Sequence, residues 1–375
     1  MEVRVHTVKN HRIGHFAMNT ELSRLSSLES RVYENRKQIN IYCFQTRSSA
    51  NLFLEKLWRR SLFCVRAPLG QLVFDACRIF HEDAVQISQS FDTAGLIGKY
   101  KFHLRFSKAE LSAGYSFLNN LNNSVSKGFV CLHVRDSAFL SQTTPIGWKS
   151  SKDWSYQNHR DSNIEYFKDA ANTLAEMGYT VFRMGAIVEK PLKSMHPRVI
   201  DYATNGMRSE FLDVFLGANC KFAITTGSGW DSIPMIFRRP VGYVNAISIL
   251  DPGLIYFPCT FYPKILRHST SNVTLTCAEI SQMTEYFYTV RDYSFHNIDL
   301  VHMSSEELVE AVTEMAQRVE GTFVETPEQK EMQAKLKHVL STHPKLQPSP
   351  NYYPIRAQFA SCFLSRYPKF LDGLD

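Results

Sequence analysis

Arginines set just after apolar runs, and a Gly-Ser-Gly turn set just after another, are the residues of this chain best suited to hold an anion. His133 and Arg135 close the run FVCLHVRD at 129–136, and Arg183 and Gly185 close YTVFRMG at 179–185. Gly227, Ser228 and Gly229 interrupt KFAITTGSGWDSIP at 221–234, with Asp231 two residues on, and Arg160 stands in HRDSNIEYF at 159–167. Guanidinium groups pair with phosphate through two parallel hydrogen bonds. Glycines permit positive φ and let bare backbone approach a guest. With Asp231 as cap of the next helix, Pro234 falls at its third position, where a missing N–H is harmless. The free amides of that helix then favour an anion at the same edge. Phosphate is the natural guest.

Each residue also has an ordinary reading. Gly-Ser-Gly after a strand is a common turn, Arg135 is a plain ion-pair candidate, and a histidine inside a buried strand is more often a core residue than a catalyst. Their convergence on one sheet edge is what favours the anion site. Other patterns fail. No G-x-x-x-x-G-K-[S/T] occurs, Ser232 stands where a dinucleotide fingerprint needs its third glycine, and Thr226 and Trp230 replace the glycines of a hydrolase elbow. Neither H-E-x-x-H nor a D-x-D cluster is present, so no metal site is expected.

The whole chain has 375 residues, 44% of them hydrophobic, which is enough for two cores. A net charge of +6 without runs of like charge fits an anionic ligand, or loose attraction to an anionic membrane surface, better than nucleic acid. The eight cysteines show no C-x-x-C spacing, and several lie in apolar runs as reduced thiols do. The start MEVRVHTVKNH does not read as a signal peptide, and no apolar run is long enough to span a bilayer. A cytoplasmic protein, with peripheral membrane contact as an option, is the expectation.

The elements that must position these residues alternate. Val3 and Val5, INIYCF at 39–44 and SLFCVR at 61–66 read as strands, with helical stretches after Gly14 and around 52–58. Periodicity fades between 74 and 117, and LNNLNNSVSKG at 118–128 is the candidate linker. Beyond it, 129–136, 179–185, 198–203, 222–224 and 241–244 read as strands. Helices capped by Ser162 and Ser209 lie between them, and a capping box opens the tail at Ser304. Repeated β-α-β predicts an α/β protein with parallel sheets and right-handed crossovers. Ligands bind beyond the carboxyl ends of such strands.

RIGHFAMNTEL, CLHVRDS, HRDSNIEYF followed by GYTVFRMG, FLGANCKFAITTGSGWDSIPMIFRRPVGYVN and FASCFLSRYPKFL occur in this order. The set resembles a family of bacterial glycosyltransferases found among surface-polysaccharide genes. More remotely, His-x-Arg after a strand is similar to the fucosyltransferase superfamily, where that arginine contacts the donor diphosphate. The resemblance implies a GT-B architecture: an acceptor domain at 1–125, a nucleotide-sugar domain at 126–345, and a terminal helix at 346–375 returning to the first domain. It implies that Arg135 stabilises the leaving diphosphate and that Gly227, Ser228 and Gly229 cradle it. Arg160 and Arg183 are further candidates there, with His133 and Gly185 beside them. Gly14 and His15 would face the acceptor, His15 as the base at neutral pH and Asp136 as reserve. No cofactor is implied beyond the nucleotide-sugar donor, with a guanosine diphosphate sugar favoured. The acceptor would be a glycan or lipid-linked, and the reaction metal-independent and inverting. The loop at 137–156 has no counterpart that can be aligned. A nucleotide-sugar epimerase of the two-Rossmann type, or a non-catalytic nucleotide-sugar-binding protein, would use similar anion contacts.

Overall fold

The computed structural model describes residues 2–34, 37–86, 89–121, 127–142, 154–247, 259–283, 290–342 and 356–374. Four strands come from the first part of the chain: β1 (Glu2–Val8), β2 (Gln38–Phe44), β3 (Cys64–Val65) and β4 (Val85–Gln86). They form one sheet in the order β3-β2-β1-β4, every pair parallel. The later strands are β5 (Phe129–His133), β6 (Thr180–Met184), β7 (Val199–Ile200), β8 (Ala223–Thr225), β9 (Val241–Ala246), β10 (Cys259–Pro263), β11 (Ile265–His268), β12 (Ile298–Val301) and β13 (Gln358–Phe359). Seven of them make a second sheet, β13-β10-β9-β8-β5-β6-β7, again all parallel. β11 and β12 form a separate antiparallel ribbon.

The protein is therefore α/β with two mainly parallel sheets. The second has the strand order of a doubly wound dinucleotide-type fold, reversing direction between β5 and β8. β5 shows why a parallel strand reads as a continuous apolar run. Phe129 and Cys131 enter the core on one face, and Val130 and Leu132 enter the core on the other.

Right-handed crossovers fix where the first-half helices lie. Ile13–Glu34 and Leu52–Ser61 cover the face turned toward the second half, against Ser232–Ile236 and Glu210–Asn219 respectively. Leu69–Phe80 crosses back from β3 to β4 and is the helix that covers the opposite face among the described residues. The halves are joined by polar contacts, exposed at one place and buried at another. Asn51 Nδ2 donates to the Glu210 carbonyl at 2.9 Å, and the Glu210 carboxylate accepts from Leu52 N at 2.7 Å. Glu21, 1% exposed, accepts from Arg238 at 2.7 Å and from Arg24 at 3.1 Å, with the His103 ring 3.3 Å away. These partners hold its carboxyl down to about 2, although burial alone would raise it.

Several boundaries differ from the sequence expectation. β3 and β7 are two-residue strands inside the longer runs 61–66 and 198–203. Asn163, not Ser162, caps the turn that leads into Lys168–Glu176. Lys108–Asn120 is a helix with a Ser107–Glu110 capping box, where no periodicity was legible. Its Gly114 lies against Phe215, so it packs on the second half although it precedes the expected boundary at 125. Among the described residues of the terminal segment, Arg356 lies against Gly98 of the first half. β13 then adds to β10, and Ser361–Arg366 packs on Ser305–Glu320, with Glu314 accepting from the Ser361 and Cys362 amides at 2.9 Å. The terminal helix thus stays with the second sheet, because its edge strand is bound there. The core of the expected linker, 122–126, and most of the loop 137–156 lie outside the described residues.

Candidate functional site

The carboxyl ends of β5 and β8 are stitched together: Thr226 N donates to the His133 carbonyl at 3.2 Å, and Arg135 N donates to Thr226 Oγ1 at 2.9 Å. This is the switch point of the second sheet. His133 stacks on Trp230 with ring centroids 5.6 Å apart, and its Nδ1 lies 3.1 Å from Ser228 Oγ. Burial, then Arg183 and Arg135, push its pKa down to about 3, so the ring is neutral. The ring is half-buried and braces the turn.

The turn itself corrects one expectation. Ser228, not Asp231, is the cap: its Oγ accepts from Trp230 N at 3.2 Å, and Asp231 accepts from Ser228 N at 2.8 Å. Gly227 N donates to Thr225 Oγ1 at 3.1 Å. The amides of 227, 228 and 230 are thus engaged within the turn. Gly227 has φ +86 and open space around its α-carbon, a backbone conformation that side chains resist. Gly229 serves a different purpose. Its bare backbone touches Gly14, at the start of the helix Ile13–Glu34; an added Cβ on Gly14 would sit 2.8 Å from the Gly229 α-carbon.

Three cations gather beside this turn. Arg135, one-tenth exposed, forms a close ion pair with Asp161 and donates to the Gln157 carbonyl at 3.2 Å. Arg160 donates to the Gly227 carbonyl at 3.2 Å, while its buried Nε has no partner among the described residues. Lys264, between β10 and β11, is 2% exposed and donates to the carbonyls of His159 at 2.7 Å and Asp161 at 3.2 Å. Burial lowers its pKa to about 8, with Asp161 opposing and Arg135 assisting. Burial also pushes His159 and His302 down to about 4. Among the described residues Asp161 is the carboxylate paired with this group, raised by burial against the pull of Arg135, and Asp136 lies near enough to act on both. Cation outweighs anion here, in a partly desolvated place where charge acts strongly.

Other expected residues have local partners. Both oxygens of Asp136 accept backbone amides, from Ala138 at 3.0 Å and Glu189 at 2.9 Å. Arg183 is fully buried, bonding Asp201 at 3.2 Å and the Lys190 carbonyl at 3.1 Å. Gly185 lets the chain pass Val188, whose Cγ1 would lie 2.4 Å from an added Cβ. These three order the segment after β6.

On the facing edge, the turn after β1 brings Arg12, Gly14 and His15 toward the second half. The Arg12 guanidinium lies over the Trp154 ring, 5.6 Å from its centroid. His15 is partly exposed, with Nδ1 3.4 Å from Asn19 Oδ1. Burial, then the cations Lys9 and Arg12, lower its pKa, so it is neutral at pH 7 and able to accept a proton. Arg12, Asp161 and Lys264 escaped the sequence reading. For Lys264 the one signal was a lone lysine in the apolar run CTFYPKIL.

Among the described residues no cluster of three or more His, Cys, Asp or Glu side chains has the arrangement to hold a metal ion, and no helix is long and apolar enough to cross a membrane. All eight cysteines are unpaired thiols.

No known protein family matches the chain by sequence profile, and no curated protein matches it. Solved structures match it by shape. A glycosyl transferase family 9 protein from Veillonella parvula is 9% identical, over 64% of this chain and 80% of that one, with TM-score 0.37. The E. coli ADP-heptose lipopolysaccharide heptosyltransferase II is 13% identical, over 68% and 88%, with TM-score 0.39. The iron-containing dodecameric heptosyltransferase TibC, solved with ADP-D-β-D-heptose, is 12% identical, over 85% and 76%, also at TM-score 0.39. These are loose likenesses of shape at low identity.

Proposed function

We propose that this chain is a glycosyltransferase of GT-B type that takes a sugar from a nucleotide-diphosphate donor. The observation that carries the reading is the gathering of cations at the second switch point: Arg135, Arg160 and Lys264 around the Asp161 carboxylate, with Asp136 near by and the buried Nε–H of Arg160 left without a partner among the described residues. A buried donor without an acceptor costs about 1–3 kcal/mol unless a ligand supplies one. A diphosphate oxygen is such an acceptor.

Charge builds on the departing phosphate oxygen as the sugar leaves through an oxocarbenium-like transition state. Preorganised cations stabilise that charge at the moment it forms. Arg135 and Arg160 do this in the proposed mechanism, and Lys264 fixes the 159–161 backbone that carries Arg160. With Arg and Lys in place of a divalent ion, transfer is metal-independent. His15, on the facing edge, takes the proton of the acceptor hydroxyl, and the product is inverted. Asp136, bonded to two amides, is the weaker candidate for that proton. The acceptor is a glycan or lipid-linked glycan held by the first half.

A panel of nucleoside diphosphates tested by thermal stabilisation, followed by transfer assays in excess EDTA, tests the reading. Stabilisation by one nucleotide, and turnover that survives chelation, are expected. Interconversion of the donor sugar without an acceptor would assign an epimerase instead. Binding without any turnover would assign a binding protein.

A further inference from the structure

The outer face of the first sheet is under-covered. Among the described residues, a four-stranded sheet there has one helix, Leu69–Phe80, against it, whereas two helices cover the inner face. That helix is apolar well beyond the side that meets the sheet. Gly70, Val73, Phe74 and Cys77 form the inner stripe at helical spacing, while Leu69, Leu72, Ile79 and Phe80 form a second stripe beside it. Its polar remainder is Gln71, Asp75 and Arg78. With Phe63 on the preceding strand edge, the four residues of the outer stripe are 60–76% exposed. Val3 and Ile39, register partners on β1 and β2, are exposed on the same sheet. Single exposed apolar residues need no explanation, but a grouped set does.

The segment 63–69 connects this stripe to a basic groove of about 530 Å³. Leu52, Glu55, Lys56, Arg59, Arg60 and Arg66 line it. Lys56, Arg59, Arg66 and Arg78 are each more than half exposed. The residues 52–80 carry five cations against two acids, Glu55 and Asp75; Glu110 pairs with Lys56 and Arg60, which leaves cations in excess of carboxylates, five to three.

We propose that the β3 edge of the first half, where Leu52–Ser61 on one face and Leu69–Phe80 on the other are joined by the Arg66–Glu55 ion pair, docks on an anionic phospholipid bilayer, with the outer stripe of Leu69–Phe80 in the headgroup boundary and the flanking cations on lipid phosphates. Charge decides the occupant. A two-fold contact with a second copy would set the same arginines against each other, because an isologous interface pairs each patch with itself. A bilayer carrying negative charge answers both the apolar stripe and its basic rim, as for interfacial helices generally. The proposal does not depend on the transferase reading, since binding is measured without turnover.

The test is flotation of the full chain with phosphatidylcholine vesicles, with and without phosphatidylglycerol, at low and high salt. Binding is expected only with phosphatidylglycerol, and should weaken as salt screens it. Lys56→Gln and Arg78→Gln should each weaken it about fivefold. Leu72→Ser with Phe80→Ser should abolish it while leaving the melting temperature unchanged, because both side chains are exposed. Equal binding to both vesicle types overturns the proposal, as does no binding to either, or binding that these variants do not alter. Self-association that disappears in the Leu72→Ser, Phe80→Ser variant also overturns it, in favour of a second copy.

Discussion

The two sheets share one topological core and differ in what their carboxyl edges carry. In both, the strands run 3-2-1-4 from one edge, and a turn leaves the central strand at the reversal. After β5 that turn leads to Arg135, Arg160 and Lys264, all wholly or mostly withdrawn from water around Asp161. After β1 it leads to Arg12, Gly14 and the neutral His15, with Asn19 as the histidine's neighbour. The backbone plan provides two equivalent crevices, and among the described residues the side chains gather buried cations beside one of them, the proposed anion site. Fold alone does not separate the roles; placed charge does.

The largest test of this contrast is the edge that carries His15. His15→Ala should lower kcat by about 10²–10⁴ while nucleotide affinity holds, the usual contribution of general acid–base catalysis. If turnover is kept and stability falls, His15 is a helix-start residue and the first edge only binds.

The charge that joins the halves comes next. Glu21→Gln should cost about 3–5 kcal/mol in chemical denaturation, because Arg238 and Arg24 would be left without their buried partner. The wild type should show the matching acid limb. The carboxyl sits at about 2 when folded against an ordinary 4.5, so its contribution is complete above about 4.5 and is lost as pH falls toward 2. A Glu21→Gln protein with the same acid limb would show that other groups cause it.

At the cationic edge, Arg135→Ala should weaken nucleoside diphosphate binding at least tenfold, about 1.4 kcal/mol, by calorimetry. Wild-type affinity in that variant would remove Arg135 from the site.

The smallest effect is a pH profile. Lys264 is charged below about 8, so anion affinity should fall about fivefold as pH rises through that value, a loss of about 1 kcal/mol of attraction. Fold stability should move the opposite way, rising between about 8 and 10.5, where only the unfolded chain still holds the proton. A Lys264→Met protein should be flat in both. If its affinity profile keeps the step, the titrating group lies elsewhere.

Much of this plan was legible in the chain. The continuous apolar run at 129–136 identified a strand buried on both faces, and β-α alternation gave parallel sheets. The sequence alone puts Arg135 and Gly227 to Gly229 at a sheet edge. What escaped depends on distant contacts. Lys264 is buried by carbonyls at 159 and 161, which nothing in CTFYPKIL announces. Leu69–Phe80 hid because apolar residues on two adjoining stripes blur the helical period. The cap at Ser228 was readable after all: Ser-Gly-Trp-Asp at 228–231 has capping-box spacing, overlooked because the glycines drew the reading toward a ligand.

The contact between Gly14 and Gly229 sets local preference against global structure. Gly14 lies in the first turn of a 22-residue helix, in helical conformation, where alanine is the better helix former by up to about 1 kcal/mol. As an isolated peptide that segment would gain helicity from Gly14→Ala. In the folded chain the added methyl carbon would meet the backbone of the other half at 2.8 Å, with no flexible side chain to yield. One substitution thus carries opposite signs at two levels of organisation. The helix tolerates a weak start because its neighbour across the crevice, and not its own sequence, decides what fits there.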